Sequence, residues 1–495
     1  MQNDNNVNSS SSSSSKSPYS LLDPNPSLID ENGNLVNDIS KAARITTYRK
    51  GTIADGVSKL ILLIDSNSPL QFSINRTKPD DLVNGMLSSL SQSNVNNLSS
   101  TDDVSPQNIS NGKSIVAAVY TPPNSFHQDK IDRRTIIINV NESNANDADA
   151  STLYKIPIQL RRPPVVLIHG VWTNSYATWI ESKFKEKLEN NGYKDKVFLA
   201  DYEAHNAETF HPYAIPGIGN HGIDSLRKKI AEASNSCHNQ SIAAAQVDVI
   251  AHSMGGLMAR GFVQQPHYKR KDNYMKGSIH RLITIGTPHF GGHLSEFLYK
   301  HRDDWYCFDG MHITPARTCK VEPKKLRTIY HDIFHSPIDE GAVEALIPGS
   351  DAYSHLYQTN VKSYAIAGSW KPNADDSHES QEWDFQFITD NLDFNLGRDG
   401  FHDDNDLVVS ITSQLGGLGG LQNQIRQPEN NDIPNKSAIY SNIIHGSLLI
   451  KKHDKDVVFS ETYSTHIQDD VIKLLGSSDN EKFANSIGKD SPRNP

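Results

Sequence analysis

Val165-Val166-Leu167-Ile168 is an apolar run with no polar position in it. A strand that is apolar throughout, rather than at alternate residues, must be covered on both faces. That condition belongs to a parallel sheet flanked by helices. Further strand-like runs follow at Lys196–Tyr202, Val247–Ile250, Leu282–Ile285, Ser363–Ala367 and Ala438–Ile444, with helical stretches between them. The alternation predicts an α/β unit over residues 163–476, with a doubly wound, mostly parallel sheet and a last amphipathic helix at Ile467–Leu475. Residues 477–495 are polar and are expected to form a flexible tail.

Before Arg162-Pro163-Pro164 the pattern differs. Leu60–Ile64, Ile115–Tyr120 and Thr135–Val140 are β-rich runs separated by turn residues such as Ala54-Asp55-Gly56 and Pro122-Pro123-Asn124, and no helical period is sustained. Residues 28–162 are therefore expected to form a small all-β sandwich. The stretch Ala54-Asp55-Gly56-Val57-Ser58 resembles a segment common in bacterial immunoglobulin-like modules, which implies that kind of sandwich. The polar insertion Ser88–Gly112 reads as a long flexible loop. Residues 1–27, with serine at every position from Ser9 to Ser15, bury too little to fold and are expected to be disordered.

Composition narrows the function. With 48 basic and 58 acidic residues the net charge is 48 − 58 = −10. No dense Lys/Arg cluster offsets it locally, so a nucleic-acid backbone is not an expected partner. No apolar run reaches the roughly 18 residues of a membrane span. Met1-Gln2-Asn3-Asp4 opens no secretory signal, and a cytoplasmic protein is expected. The three cysteines, Cys237, Cys307 and Cys319, form no paired metal-ligand motif. Export would allow Cys307 and Cys319 to pair, but the reduced state is the expectation. No cofactor or metal is called for.

The chemistry is carried by Ala251-His252-Ser253-Met254-Gly255-Gly256. A nucleophilic serine needs an exposed hydroxyl, a base beside it and donors aimed at the developing oxyanion. A strand that turns sharply through the serine into a helix exposes the hydroxyl, and small flanking residues permit the turn. Here the strand is Val247–Ile250 and the helix begins at Leu257-Met258-Ala259-Arg260. His169-Gly170-Val171 directly follows another strand, so the amides of Val171 and Met254 are assigned to the oxyanion hole.

Val165–Asn174, Ala251–Gly256 and Gly286-Thr287-Pro288-His289-Phe290-Gly291-Gly292 together resemble bacterial lipases and esterases of the α/β-hydrolase superfamily, over residues 165–475. Ala251 stands where that pattern more often has glycine, a change that several lipases share. The resemblance implies a triad in the chain order nucleophile, acid, histidine. The acid is assigned to Asp406, because Asn405-Asp406-Leu407-Val408-Val409-Ser410 resembles the lipase segment in which the acid precedes a short apolar stretch. Asp404 is the alternative, with Asp399 and Asp403 as neighbouring loop charges. The oxygen ligands of His402–Asp406 alternate as in a calcium loop, but the glycine and distal glutamate of such a loop are missing. The histidine is His445, just past Ala438–Ile444, with His466 as the competing candidate. The insertion between Gly292 and Ser363 carries Phe297, Trp305, Tyr306, Phe308 and Met311. It is expected to form a cap, at about residues 293–360, whose aromatics either face an acyl chain or pack the cap's own core.

The expected function is cleavage of carboxylic esters, with an ester or lipid as substrate. An acyltransferase using the same triad and a non-catalytic binding protein on a hydrolase fold are the alternatives.

Overall fold

The computed structural model describes residues 18–74, 82–90, 104–109, 112–126, 130–142, 152–212, 220–308, 313–318, 321–334, 338, 341–369, 406, 408–418, 425, 433–441, 443–446, 459–477 and 482–488. The serine tract, Asp399, Asp403, Asp404, Cys319 and His402 lie outside them.

Among the described residues, nine strands precede the α/β region: β1 (Tyr19–Leu22), β2 (Gly51–Ile53), β3 (Leu60–Asp65), β4 (Leu70–Ile74), β5 (Met86–Ser89), β6 (Gln107–Asn108), β7 (Ser114–Thr121), β8 (Arg133–Glu142) and β9 (Tyr154–Arg161). One antiparallel sheet runs β1-β3-β7-β5, with β6 also on β7. The Ser88–Gly112 insertion is therefore not wholly a loop, since Gln107 pairs with Ile115 and Val104 bonds to Leu70. The second sheet contains β2, β9, β8 and β4. In β8 the burial alternates, and Ile136, Ile138 and Val140 pack with Ile156, Ile158 and Phe72 against Leu62, Val116 and Tyr120 of the first sheet. β3 does not alternate because Ile61 and Leu63 on its other side are covered by Leu28, Ile39 and Ile45.

The second sheet gains a strand from far along the chain. After β10 (Val165–Ile168) and β11 (Val197–Ala200), β12 (Ile242–Ala243) pairs with β2 in parallel. Asp55 and Ser58, both in the Ala54–Ser58 stretch, secure the junction. Ser58 Oγ donates to Asp55 Oδ2 (2.6 Å) and accepts from the Ala245 amide (2.7 Å).

The remaining strands are β13 (Val247–His252), β14 (Ile279–Ile285), β15 (Trp305–Phe308), β16 (Ile313–Pro315), β17 (Lys324–Lys325), β18 (Lys362–Ser369), β19 (Ser437–Ser441), β20 (Ile443–Ile444) and β21 (Phe459–Ser460). A six-stranded sheet runs β11-β10-β13-β14-β18-β19 with every neighbouring pair parallel. Alternate side chains of β10 go to opposite faces. Val166 and Ile168 pack with Ile223, Leu226 and Ile230 of helix His221–Asn239 and with Leu257 and Phe262 of helix Met254–Val263. Val165 and Leu167 pack with Trp179, Phe184 and, from helix Thr465–Gly476, Val471 and Leu474. Ser464 caps that last helix by accepting from the Ile467 amide. The run Ala438–Ile444 is not one strand. It divides into β19 on the large sheet and β20, which pairs with β21.

The described residues of 293–360 contain the antiparallel strands β15, β16 and β17 and four helices, His293–His301, Leu326–Phe334, Gly341–Ala345 and Asp351–Ser354. Tyr306 is buried with Leu294, Leu298, Leu326 and Tyr330 in a local core, whereas Trp305 is 56% exposed. The reduced expectation does not hold at Cys307, which is disulfide-bonded, while Cys237 is free and buried. Among the described residues no helix is long and apolar enough to cross a membrane.

Beside the junction, His280 on β14 bonds through Nδ1 to Asp248 (2.8 Å) and through Nε2 to Asn124 (2.9 Å). Asp248 is 1% exposed. Replacing His280 by alanine leaves this carboxylate buried without the ring, a change that costs about 3–5 kcal/mol when a buried pair is broken. We expect His280→Ala to unfold at clearly lower urea concentration than the wild type. Coincident unfolding curves would show that the pair contributes nothing.

Candidate active site

The large sheet begins at β10, adds β11 on one side and then crosses back to β13 on the other. Ligands of open α/β sheets bind at the carboxyl ends of the strands where this reversal occurs. The register Ile168↔Ala251 brings the residues following β10 and β13 to the same height. His169 and Gly170 thus come to lie beside His252 and Ser253.

Ser253 has φ 53° and ψ −132°, a conformation that side chains other than glycine rarely adopt. The turn is fixed on both sides. The Ser253 amide donates to Ile285 O (2.9 Å), and its carbonyl accepts from Thr287 Oγ1 (2.9 Å). Helix Met254–Val263 starts at the next residue, so the Met254 amide belongs to the helix N-terminus, where backbone N–H groups lack intrahelical partners. Gly170 makes room on the facing loop, since a Cβ there would come within 2.5 Å of Ser253 Cβ and 2.9 Å of its Oγ.

His445, immediately after β20, lies 2.8 Å through Nε2 from Ser253 Oγ and 2.7 Å through Nδ1 from Asp406 Oδ2. The His445 amide also donates to the Asp406 carbonyl (3.1 Å). Asp406 is fully buried, and its Oδ1 accepts from the amides of Val408 (3.0 Å) and Val409 (2.7 Å). The structure therefore brings Ser253, His445 and Asp406 together. His466 is exposed on the first turn of the last helix.

An imidazole held between a hydroxyl and a buried carboxylate forms a proton relay. It can take a proton from the hydroxyl while the carboxylate balances its charge. The relay opens into a cavity lined by Ser253, His445 and the apolar side chains of Val171, Trp172, Leu294, Leu298, Tyr330, Val343, Leu346, Val408 and Val409. Leu294, Leu298 and Tyr330 thus face the cavity and pack the local core of residues 293–360 as well. Val171 is on the cavity wall, whereas the Met254 side chain is buried in the core below. His169 is buried, donates from Nδ1 to Gly170 O (2.9 Å) and stacks on Tyr202 at 4.2 Å. This packing fixes the loop that carries Val171.

Two residues beside the relay had no assigned part in the sequence reading, His252 and Glu461. His252 Nε2 contacts His445 O at 3.0 Å and Glu461 Oε2 at 3.1 Å. A carbonyl only accepts, so Nε2 carries the hydrogen. Burial lowers the His252 pKa to about 3, which keeps the ring neutral. His252 sits inside the quoted serine motif, but Glu461 lies in no motif, and only the tertiary fold brings it to the relay.

Among the described residues, two other clusters offer metal-type donors. Glu208 bonds His205 (2.7 Å) and His221 (2.8 Å), while His211 Nε2 lies 3.2 Å from His355 Nδ1 and 3.3 Å from Asp351 Oδ2. Neither contains a residue of the relay.

Residues 224–442 match a family described as a domain of unknown function (DUF7379). No curated protein matches the chain. The chain is similar to solved structures of bacterial lipases and esterases, at low identity and partial coverage. The mature-form lipase BlEst2 of Bacillus licheniformis is 15% identical, with 63% of this chain and 92% of that one covered and a TM-score of 0.33. The Staphylococcus hyicus lipase is 14% identical over 63% and 96% of the two chains, with a TM-score of 0.35. The phospholipase PlaB of Legionella pneumophila is 15% identical over 63% and 60%, with a TM-score of 0.34.

The contact between Gly170 and Ser253 is open to test. A methyl group at 170 displaces either the serine hydroxyl or the loop bearing Val171. Gly170→Ala should lower turnover of a nitrophenyl ester at least about 100-fold, in the range lost with one oxyanion donor, while thermal unfolding stays cooperative. Turnover near the wild-type level would show that the loop yields without disturbing Ser253.

Proposed function

We propose that this chain is a serine hydrolase that cleaves carboxylic esters with apolar acyl groups. The observation that carries the reading is the continuous relay Ser253 Oγ–His445–Asp406, at 2.8 and 2.7 Å, on the wall of a mostly apolar cavity. The α/β sheet with its insertion at 293–360 acts as the catalytic unit and its cap. The two N-terminal sheets form an immunoglobulin-like β-sandwich joined to it through β12.

In this reading His445 Nε2 takes the Ser253 proton as Oγ attacks the ester carbonyl. The new oxyanion is held by the amides of Val171 and Met254. The imidazolium formed beside buried Asp406 is stabilised by that charge and returns the proton to the leaving alcohol. An acyl-enzyme on Ser253 remains. Water, deprotonated by the same histidine, then releases the acid. Two backbone amides and the histidine N–H hold the Asp406 carboxyl in place beside the ring. The cavity's apolar walls suit an acyl chain and exclude bulk water from the oxyanion.

Nitrophenyl esters of increasing acyl length test the activity, with kcat/KM read for each. Ser253→Ala should reduce cleavage by several orders of magnitude, and a fluorophosphonate should label the wild type but not this variant. His445→Ala should fall comparably. His466→Ala should stay within about threefold, a barrier change below ~1 kcal/mol. Equal labelling of the wild type and Ser253→Ala would remove Ser253 as nucleophile. Ester formation with added alcohol at the expense of hydrolysis would make the chain an acyltransferase.

A further inference from the structure

Glu461 is fully buried against the relay, yet the mechanism above makes no use of it. It directly follows β21, and its Oε2 lies 3.1 Å from His252 Nε2 and 3.5 Å from His445 Nδ1. Its carboxyl and that of Asp406 both face His445 Nδ1, at 3.5 and 2.7 Å. Backbone has been cleared to admit it. Gly286, at φ +59°, could carry no side chain, because its Cβ would collide with the Glu461 carboxyl.

Two buried carboxyl groups that face one imidazole nitrogen repel each other when both are charged, so one of them holds a proton. The surrounding donors indicate which one. Asp406 receives two backbone amides and the His445 N–H, all of which favour the charged form. Glu461 is served less well. The His252 N–H is divided between it and His445 O, and the nearby Gly368 amide is committed to Gln414 Oε1 at 2.8 Å. Burial, and after it the charge on Asp406, push the Glu461 carboxyl well above the usual carboxylate range.

We propose that Glu461 is a positioning residue, a neutral acid whose O–H holds the Asp406 carboxylate toward His445 and which becomes the histidine's carboxylate partner when the Asp406 charge is removed. This inference rests on the relay reading above. In the wild type the proton stays on Glu461 through the catalytic cycle. With asparagine at 406 the neighbouring negative charge is gone, Glu461 loses its proton to solvent, and its Oε2 is already within reach of His445 Nδ1.

Four variants in the full chain test this, with kcat and KM measured on one nitrophenyl ester and folding checked by thermal unfolding. Glu461→Gln keeps a donor toward Asp406 and should stay within about threefold of wild type. Glu461→Leu, which has no donor, should lose at least about tenfold in kcat with KM unchanged. Asp406→Asn should lose only about 10- to 100-fold, against the roughly 10⁴-fold known when a triad acid is neutralised without a substitute. The double variant Asp406→Asn with Glu461→Gln should then lose at least about 100-fold more. Equal rates for Asp406→Asn and the double variant overturn the proposal. So does a Glu461→Gln as impaired as Glu461→Leu, which would mean that the group acts as a carboxylate in the wild type. If the double variant does not fold, the Gln–Leu contrast alone decides. An active Ser253→Ala would instead defeat the relay reading, whatever happens at Glu461.

Discussion

The backbone hydrogen bonds between β10 and β13 set the position of everything else at the site. Their register, Val165↔Asp248 through Ile168↔Ala251, delivers two chain segments more than 80 residues apart to one sheet edge. A slip of one residue would turn Ile168 and Ala251 to the opposite faces and part Gly170 from Ser253. Both strands are buried on both faces, which fixes the register. Val166 and Ile168 feed one helix layer, and Val165 and Leu167 feed the other.

On this frame, buried polar groups are arranged so that each satisfies the next. Backbone amides hold the Asp406 carboxyl, Asp406 orients His445, and the His445 carbonyl fixes the tautomer of His252. Connected networks of this kind favour one arrangement, because a member left unpaired in a low-dielectric interior carries a desolvation penalty. The Ser253 backbone, at φ 53°, is kept in a sparsely populated conformation by Ile285 on one side and Thr287 on the other.

How far these features could be read in advance depended on whether their cause was local. Val165–Ile168 announces a covered strand by its own residues, and the turn at Ser253 is written in the small residues around it. Asp406 and His445 needed the resemblance to lipases, since neither stands in a locally distinctive pattern among 21 histidines and many loop carboxylates. Glu461 was illegible, because its importance comes from a void beside Gly286 and from charges distant in sequence. The same holds for the break between β19 and β20. The polar pair Ser441-Asn442 stands at the break, but nothing local shows that Ile443 and Ile444 leave the main sheet to pair with β21. Within residues 293–360, Tyr306 packs the local core, and Leu298 and Tyr330 pack that core and line the cavity together.

The placement of β12 bears on the order of folding during synthesis. Strands β2, β4, β8 and β9 have all been made by residue 161, but the sheet they belong to ends on Ile242 and Ala243, about eighty residues later in the chain. Until those residues leave the ribosome, β2 presents an unpaired edge, and exposed edges of this sort invite pairing with other chains. The Asp55–Ser58 pair meanwhile waits for the Ala245 amide. The amino-terminal half thus completes its own structure only after β10 and β11 have been made. Nascent chains stalled between residues 165 and 240 are the stage at which misassembly has its best opportunity.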